Sequence, residues 1–181
     1  MAWEIDAAHS HARFSIRQMG AGAIQGQFKA MSGYVHVDET NPSHSWVDVA
    51  VDAASIDTGD AQRDTRLRSP DVLDVAAYAT ITFKSARVEH VVSRDYKVSG
   101  DLTLRGVTKP VTFDAAFQGQ DEGNGVRRAA LTAKAKINWA DFGVMGLPAA
   151  ETHQLDGGQL VRIAIDLSLV QRVAEIQTSL A

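Results

Sequence analysis

Cysteine is absent from the 181 residues, so disulfides, thiolate metal sites and a cysteine nucleophile are excluded. The chain also lacks a large excess of charge, because its formal net charge is −4. It therefore has no general electrostatic attraction to nucleic acid, which we do not expect as a partner. No apolar run approaches the roughly 20 residues that a membrane-spanning helix needs. A membrane span is accordingly not expected either.

Recognisable catalytic and targeting motifs are missing as well. There is no Gly-x-Ser-x-Gly elbow and no glycine-rich phosphate loop, so nucleophilic hydrolysis and nucleotide binding have no motif. Residues 1–6 are strand-like and show neither the basic segment nor the apolar stretch of a secretion signal. We therefore expect the protein to be cytoplasmic.

The most informative segment that is present covers residues 98–113, where two alternating strands meet at a glycine turn. One face of this predicted hairpin is apolar because alternate residues of both strands supply it: Gly100, Leu102, Leu104, Val111, Phe113, Ala115 and Phe117. Arg105 and Lys109 lie beside the turn, so the apolar face ends in positive charge. Such a surface suits an amphiphile with a long hydrocarbon part and a polar or anionic head.

The same alternation predicts eight strands in all. They cover residues 11–17, 24–37, 46–53, 80–92, 98–104, 107–117, 128–138 and 161–169, and a bulge at Gly33 bends the second one. The predicted loops are a polar hairpin loop over residues 118–125 and a longer loop over 142–158, and residues 173–181 form a loose tail. We expect one domain, residues 1–181, built as an all-β, eight-stranded antiparallel barrel.

Alternation stops between the third and fourth strands, where residues 60–68 have the composition of a short helix. Thr58 or Asp60 is available as its N-cap, and Pro70 ends it. A turn follows in which Val72, Leu73 and Val75 can cover an apolar region. This helix is therefore predicted to close one end of the barrel.

Small residues on the predicted inner faces favour a cavity inside the barrel. They are Gly26, Ala30, Gly100, Ala115, Ala133 and Ala135. The alternative is that large and small side chains interdigitate and fill the interior, as they do in close-packed cores. The pattern by itself leaves both open.

Several short motifs, in a fixed order, resemble the YceI-like family of polyisoprenoid-binding, lipocalin-like proteins. They include Ile5-Asp6, His9-Ser10, Ser55-Ile56-Asp57-Thr58-Gly59, Leu67-Arg68-Ser69-Pro70-Asp71, Gly100-Asp101-Leu102-Thr103-Leu104-Arg105-Gly106, and Asp141-Phe142-Gly143. The resemblance implies an eight-stranded barrel with a helix near one end, enclosing an elongated hydrophobic pore for an isoprenoid or similar chain. By family analogy a second copy of the chain is a partner, giving a homodimer.

Four positions depart from the family pattern. Gln18 and Arg66 stand where histidine is common, Trp139 where arginine is expected, and Ala79 where proline is usual. The exchange of histidine for glutamine or arginine changes the hydrogen-bond donors and the charge at the pore mouth.

The candidate lipid contacts are aliphatic or aromatic residues of the predicted strands and of the loop near residue 142: Phe14, Ile16, Phe28, Phe83, Leu102, Phe113, Phe117 and Phe142. Periodicity identifies a face and not a cavity, so packing in a core is the alternative for each of them. Arg63 and Arg105, with Arg66, Arg68 and Lys109 nearby, are candidates for a pyrophosphate or carboxylate head. These cations can equally form ion pairs or cap loops.

His9, His11 and His36 are candidate ligands for a metal ion. No ligand pair at helical spacing accompanies them, and we expect no metal and no cofactor.

The sequence thus predicts a non-enzymatic protein that binds, stores or transports a polyisoprenoid or fatty amphiphile. Two alternatives stay open. One is an enzyme acting on a small hydrophobic substrate through His9, Asp101 or Asp141, and the other is a structural or interaction module with a closed core.

Overall fold

The computed structural model is a closed antiparallel β-barrel with eight strand positions, as the sequence predicts. The structure describes residues 2–18, 22–123, 125–144 and 160–172. The predicted tail 173–181 and most of the predicted loop 142–158 lie outside the described residues. No described helix has the length and apolar character needed to cross a membrane.

Within these described residues, eleven strand segments form one sheet. They are β1 (Trp3–Ile5), β2 (His11–Gln18), β3 (Gly22–Phe28), β4 (Met31–His36), β5 (Trp46–Asp52), β6 (Ile56–Asp57), β7 (Thr80–Val92), β8 (Asp95–Leu104), β9 (Val107–Gly123), β10 (Val126–Asn138) and β11 (Leu160–Arg172). The α-helix of the described residues is α1 (Ala61–Leu67), and short 3₁₀ helices cover Ala7–His9, Pro42–His44, Ala53–Ser55 and Trp139–Phe142.

Three of the eight strand positions are each split into two segments. The ring β1-β4-β5-β7-β8-β9-β10-β11 closes because β1 also pairs with β11, while β2, β3 and β6 continue the sheet. Along its length β11 pairs first with β2, through residues 161–166, and then with β1, through Leu169 and Val170. The pairs β1/β2, β3/β4 and β5/β6 therefore occupy one position each, and the interruptions are the Ala7–His9 helix, residues 29–30 and the Ala53–Ser55 helix.

The hairpin of residues 98–113 forms as predicted. Its two-residue turn consists of Arg105 and Gly106, with φ values of +53° and +73°. Positive φ at both central positions defines the turn type whose twist matches that of two antiparallel strands. Val98 pairs with Phe113 and Gly100 with Val111, and all four residues are buried. The apolar face deduced from the sequence is thus an inner face of the barrel.

The helix and the turn after it also follow the prediction. Asp60 is the N-cap of α1, and its carboxylate accepts hydrogen bonds from the backbone N–H groups of Gln62 and Arg63. In the turn that follows, Val72 and Leu73 are almost completely buried. The helix and this turn therefore cover an apolar part of the barrel.

The predicted bulge at Gly33 is wrong. The β4–β5 register runs through the Gly33–Val49 pair without a shift, and the change of face falls at residues 29–30, between β3 and β4. Gly33 instead allows a close approach of the two strands: its φ is +141°, and a Cβ there would lie 2.1 Å from the backbone oxygen of Asp48. The sequence correctly indicated a position that needs glycine. The reason is the close approach of β5, and not an extra residue in the strand.

The predicted polar loop over residues 118–125 is also wrong in extent. β9 continues to Gly123 and β10 begins at Val126, with Val126 paired to Gly123. Polar composition predicted a loop here because apolar alternation ends near Phe117. Backbone pairing between the two strands continues beyond the apolar region, where sequence pattern carries no signal.

We predict that Gly33→Ala destabilises the fold by about 3 kcal/mol or more, because the new Cβ collides with β5 and strains the backbone at positive φ. Gly119→Ala is the matched control, since nothing lies within 4 Å of a Cβ at this exposed strand position. The control should be neutral or stabilising by about 0.5 kcal/mol. Urea unfolding of both variants measures the difference, and equal stability would contradict the close approach at Gly33.

Candidate functional site

An apolar cavity of about 140 Å³ lies inside the barrel. One end of it is formed by Ile56, Leu73, Leu104, Ile137 and Trp139. We call this the loop end, because the segment after α1, the β8–β9 turn and the Trp139–Phe142 helix meet there. Deeper in the barrel the wall consists of inward-facing residues of nearly every strand, and β11 contributes Val161, Ile163, Ile165 and Leu167.

The opposite end of the barrel is filled by side chains, and we call it the packed end. Trp3 and Phe117 meet edge to face with ring centroids 6.0 Å apart, and the Arg127 guanidinium lies 5.5 Å from the centroid of the Trp3 ring. Leu169 and Ala129, a cross-strand pair, are buried beside them. None of these residues lines the cavity, so the packed end bounds it.

A second cavity of about 20 Å³ adjoins the first and shares Val47, Val98, Ala115 and Leu131 with it. Tyr96 lies on its wall and contacts His90 with ring centroids 5.2 Å apart. Burial raises the pKa of the Tyr96 hydroxyl, and the negative charge of Glu39 adds to this effect. The phenol therefore stays neutral at physiological pH.

Two of the six predicted small residues create the cavity. Ala115 and Ala133 are a cross-strand pair of β9 and β10, and both line it. Ala30 is exposed, which corrects its predicted inward position, and Ala135 is half-buried but does not reach the cavity.

The two glycines of that set serve close contacts instead. A Cβ on Gly26 would lie 2.5 Å from the Phe14 ring, so the ring occupies the space that the glycine leaves. On Gly100, a Cβ would lie 2.2 Å from the backbone oxygen of Lys84, where β7 approaches. Neither glycine lines the cavity.

Five of the predicted apolar contacts line the cavity: Phe14, Phe28, Phe83, Leu102 and Phe113. They include two aromatic pairs, since the Phe14 and Phe28 centroids are 5.5 Å apart and those of Phe83 and Phe113 are 4.9 Å apart. The predicted contacts Ile16, Phe117 and Phe142 are buried, but the structure does not bring them to the cavity. They pack in other layers of the core, and periodicity does not distinguish one layer from another.

Residues of β5 and β11 also line the cavity, although none of them was among the predicted contacts. Val47, Val49 and Val51 of β5 line the cavity together with the four β11 residues named above. Their strict alternation was visible in the sequence and correctly marked a buried face. Only the barrel's cross-strand register places that face on the cavity.

Arg105 holds two segments of the loop end together. Its guanidinium donates one hydrogen bond to the Pro70 carbonyl, at 2.7 Å, and another to the Gly143 carbonyl, at 2.5 Å. Since an arginine has five N–H donors, it retains further capacity for a ligand. Its predicted part in binding a head group stays a prediction.

The other arginines that were candidates for binding a head group lie in a segment that also contains aspartates. Arg68 donates to the carbonyls of Ala54 and Ile56, at 3.0 and 2.8 Å. Arg63 is half-buried on α1. In residues 60–74 the three arginines are accompanied by four aspartates, Asp60, Asp64, Asp71 and Asp74, so positive charge does not accumulate there.

The residues proposed for catalysis lie away from the cavity. His9 Nδ1 is 2.8 Å from a carboxylate oxygen of Asp6, and this hydrogen bond lowers the pKa of Asp6. Neither His9, Asp101 nor Asp141 lines the cavity. Within the described ranges no group of three or more histidine, aspartate or glutamate side chains is placed to hold a metal ion.

Known proteins share both the sequence pattern and the barrel. The YceI-like domain profile matches residues 3–169. A UPF0312 protein of Vibrio parahaemolyticus is 39% identical over 140 residues, which cover 76% of this chain and 73% of that protein. Protein YceI of Escherichia coli is 41% identical over 137 residues, covering 75% of this chain and 71% of that protein.

Solved structures agree in fold at lower identity. Burkholderia cenocepacia BcnA superimposes with a TM-score of 0.74 at 24% identity, covering 92% of this chain and 99% of that one. A polyisoprenoid binding domain from Saccharophagus degradans, implicated in plant cell wall breakdown, gives a TM-score of 0.64 at 17% identity, covering 92% and 97%. The profile match and the sequence relatives show that the chain belongs to the YceI-like family.

Proposed function

We propose that the protein binds the hydrocarbon tail of an isoprenoid or similar long-chain amphiphile in its barrel cavity and stores or carries it without converting it. The apolar wall is the observation that carries the proposal. Among the lining residues only Arg13, Thr82 and the indole of Trp139 have polar side-chain atoms. Each methylene moved from water to such a wall contributes about 0.8 kcal/mol.

The fold supports a ligand of this class. An eight-stranded barrel is just wide enough to hold one small ligand when its inner side chains leave room. The Saccharophagus degradans domain with the same fold is described as polyisoprenoid binding. A hydrocarbon tail also matches a site beside which the arginines and aspartates of residues 60–74 nearly cancel in charge.

The size of the cavity limits what enters without rearrangement. Its volume of about 140 Å³ is close to that of an engineered apolar cavity of about 150 Å³ that binds benzene. A segment of a tail therefore fits, and a long tail requires more space. The small cavity beside Tyr96 shares wall residues with the main cavity and is a direction in which the space for a tail can extend.

The apolar lining argues against the enzymatic alternative. Among the described residues that line it, the cavity has the hydroxyl of Thr82 but no histidine, cysteine or carboxylate that could activate it, and the three residues proposed for catalysis lie elsewhere. We therefore retain binding as the function. The cytoplasmic location and the homodimer expected from the sequence remain predictions.

Extraction of the natively purified protein tests the proposal directly. Organic extraction followed by mass spectrometry should reveal a long-chain compound in stoichiometric amount, or the emptied protein should take up prenyl or fatty probes. Repeated absence of a ligand together with failure to take up any probe would overturn the proposal.

We predict that affinity rises along the series geraniol, farnesol and geranylgeraniol. These alcohols share one head group and lengthen by an isoprene unit, so each step buries more apolar surface, worth about 25 cal/mol per Å². Affinity should level off once the tail fills the space available inside the barrel. Competition against a fluorescent fatty probe measures the series, and equal affinities for all three alcohols would contradict the burial of successive isoprene units in the barrel.

We predict that Ala133→Phe lowers the affinity for farnesol by a factor of ten or more, which is about 1.4 kcal/mol. The new ring would occupy the space beside Ala115. Ala130→Phe is the matched control, because Ala130 lies on the opposite face of β10 and lines neither cavity. Equal binding by both variants, with the fold intact by circular dichroism, would place the ligand elsewhere.

A further inference from the structure

A buried hydrogen-bond donor is left unused at the loop end of the cavity. Trp139 is 5% exposed and lines the cavity, and its Nε1 is buried without a hydrogen-bond partner among the described residues. It is the sole buried side-chain nitrogen or oxygen in that state within the part of the chain that the structure describes. Buried donors in native proteins nearly always have a partner, so this one requires an explanation.

The backbone around Trp139 is held in place from several sides. The Asn138 side chain caps the Trp139–Phe142 helix by accepting the N–H of Ala140, at 3.1 Å. The N–H of Val144 donates to the Trp139 carbonyl, at 3.3 Å, and Arg105 holds the carbonyl of Gly143. These bonds fix the backbone that carries the indole. The indole that lines the wall therefore holds its buried, unused donor at a fixed position.

Burial makes the missing partner costly. A donor that loses water on folding and gains no acceptor destabilises the folded protein, whereas an acceptor that arrives with a ligand removes that penalty. Trp139 lines the apolar cavity together with Leu73 and Ile137. A ligand that fills this space and displaces side chains there can bring an acceptor to Nε1.

We propose that Trp139 selects amphiphiles that carry an uncharged oxygen acceptor, such as a carbonyl, ester or hydroxyl, next to the hydrocarbon tail. This inference rests on the proposed function and specifies the head group. An uncharged acceptor fits because the indole is a neutral donor and the surrounding wall is apolar, where an unpaired ionised group is strongly disfavoured. The arginines and aspartates of residues 60–74 nearly balance in charge, so this part of the loop end gives an anionic head little compensation.

Two ligands with closely similar isoprenoid tails test the inference. Farnesylacetone carries a ketone, and farnesene is a hydrocarbon without an acceptor. Binding of both is measured to the wild-type protein and to Trp139→Phe, which keeps an aromatic ring and removes the N–H. The substitution should weaken ketone binding about tenfold more than hydrocarbon binding, equivalent to about 1.4 kcal/mol. Equal effects on the two ligands would overturn the inference.

Trp46→Phe is the control variant, because Trp46 is 41% exposed and lies outside both cavities. It should change the two affinities by the same small factor. The wild-type protein provides a readout that needs no variant: the indole N–H signal of Trp139 in a ¹⁵N NMR spectrum should move downfield with farnesylacetone more than with farnesene. Identical shifts with both ligands would contradict a hydrogen bond to the ketone.

The two proposals fail in different ways. If neither farnesylacetone nor farnesene binds the wild-type protein, the proposed function fails and the inference fails with it. If both bind and Trp139→Phe affects them equally, binding in the cavity stands and the selection by Trp139 is wrong.

Discussion

Closure of the barrel by β11 is the constraint on which the rest of the structure depends. β11 pairs with β10 over its full length on one side, and with β2 and β1 in succession on the other. Closure gives every strand of the ring a hydrogen-bonded neighbour on both sides, so no strand of the ring is left as an open edge. Because the backbone N–H and C=O groups of paired strands bond to each other, the inward side chains do not have to supply partners for them. The interior can therefore be apolar throughout. A cavity within it is a consequence of which inward residues are small.

Cross-strand neighbours decide where that cavity lies. Ala115 and Ala133 face each other, and Leu131 pairs with Phe117 a step further along the same two strands. The first pair leaves space, and the second, with Trp3 against Phe117, fills it. The barrel is thus divided into a packed end that contributes close contacts and a loop end whose walls surround open space. Close packing and open space therefore occupy different layers of one sheet.

Much of this architecture was predictable from the sequence, because alternation directly records which face of a strand is buried. The hairpin at residues 98–113, the helix with its Asp60 cap and the inward faces of β5 and β11 follow from local patterns. The height of each inward residue along the barrel axis does not follow from local patterns, since it depends on the register between neighbouring strands. Ile16 and Phe14 illustrate this: both lie on one face of β2, yet only Phe14 lines the cavity.

The roles of Gly33 and Arg105 could not be assigned from the sequence for a related reason. Gly33 signalled a local irregularity, but the requirement arises from the backbone of β5, which a single strand's sequence does not contain. Arg105 was a candidate ligand for an anion, and its hydrogen bonds to the carbonyls of Pro70 and Gly143 depend on two loops meeting in space. In each case the residue type indicated a special role at that position. The group that the residue contacts is determined by the tertiary structure.

The loop end combines order with the capacity to change. Arg105 joins the segment after α1 to the Trp139–Phe142 helix through two backbone carbonyls, and Arg68 joins the end of α1 to Ala54 and Ile56. These are a few hydrogen bonds between short segments, whereas the packed end is held by strand pairing and by buried aromatic side chains. Breaking a few bonds costs less free energy than separating paired strands. In the function that we propose, a tail longer than the present cavity therefore enters where the loops, and not the sheet, must yield.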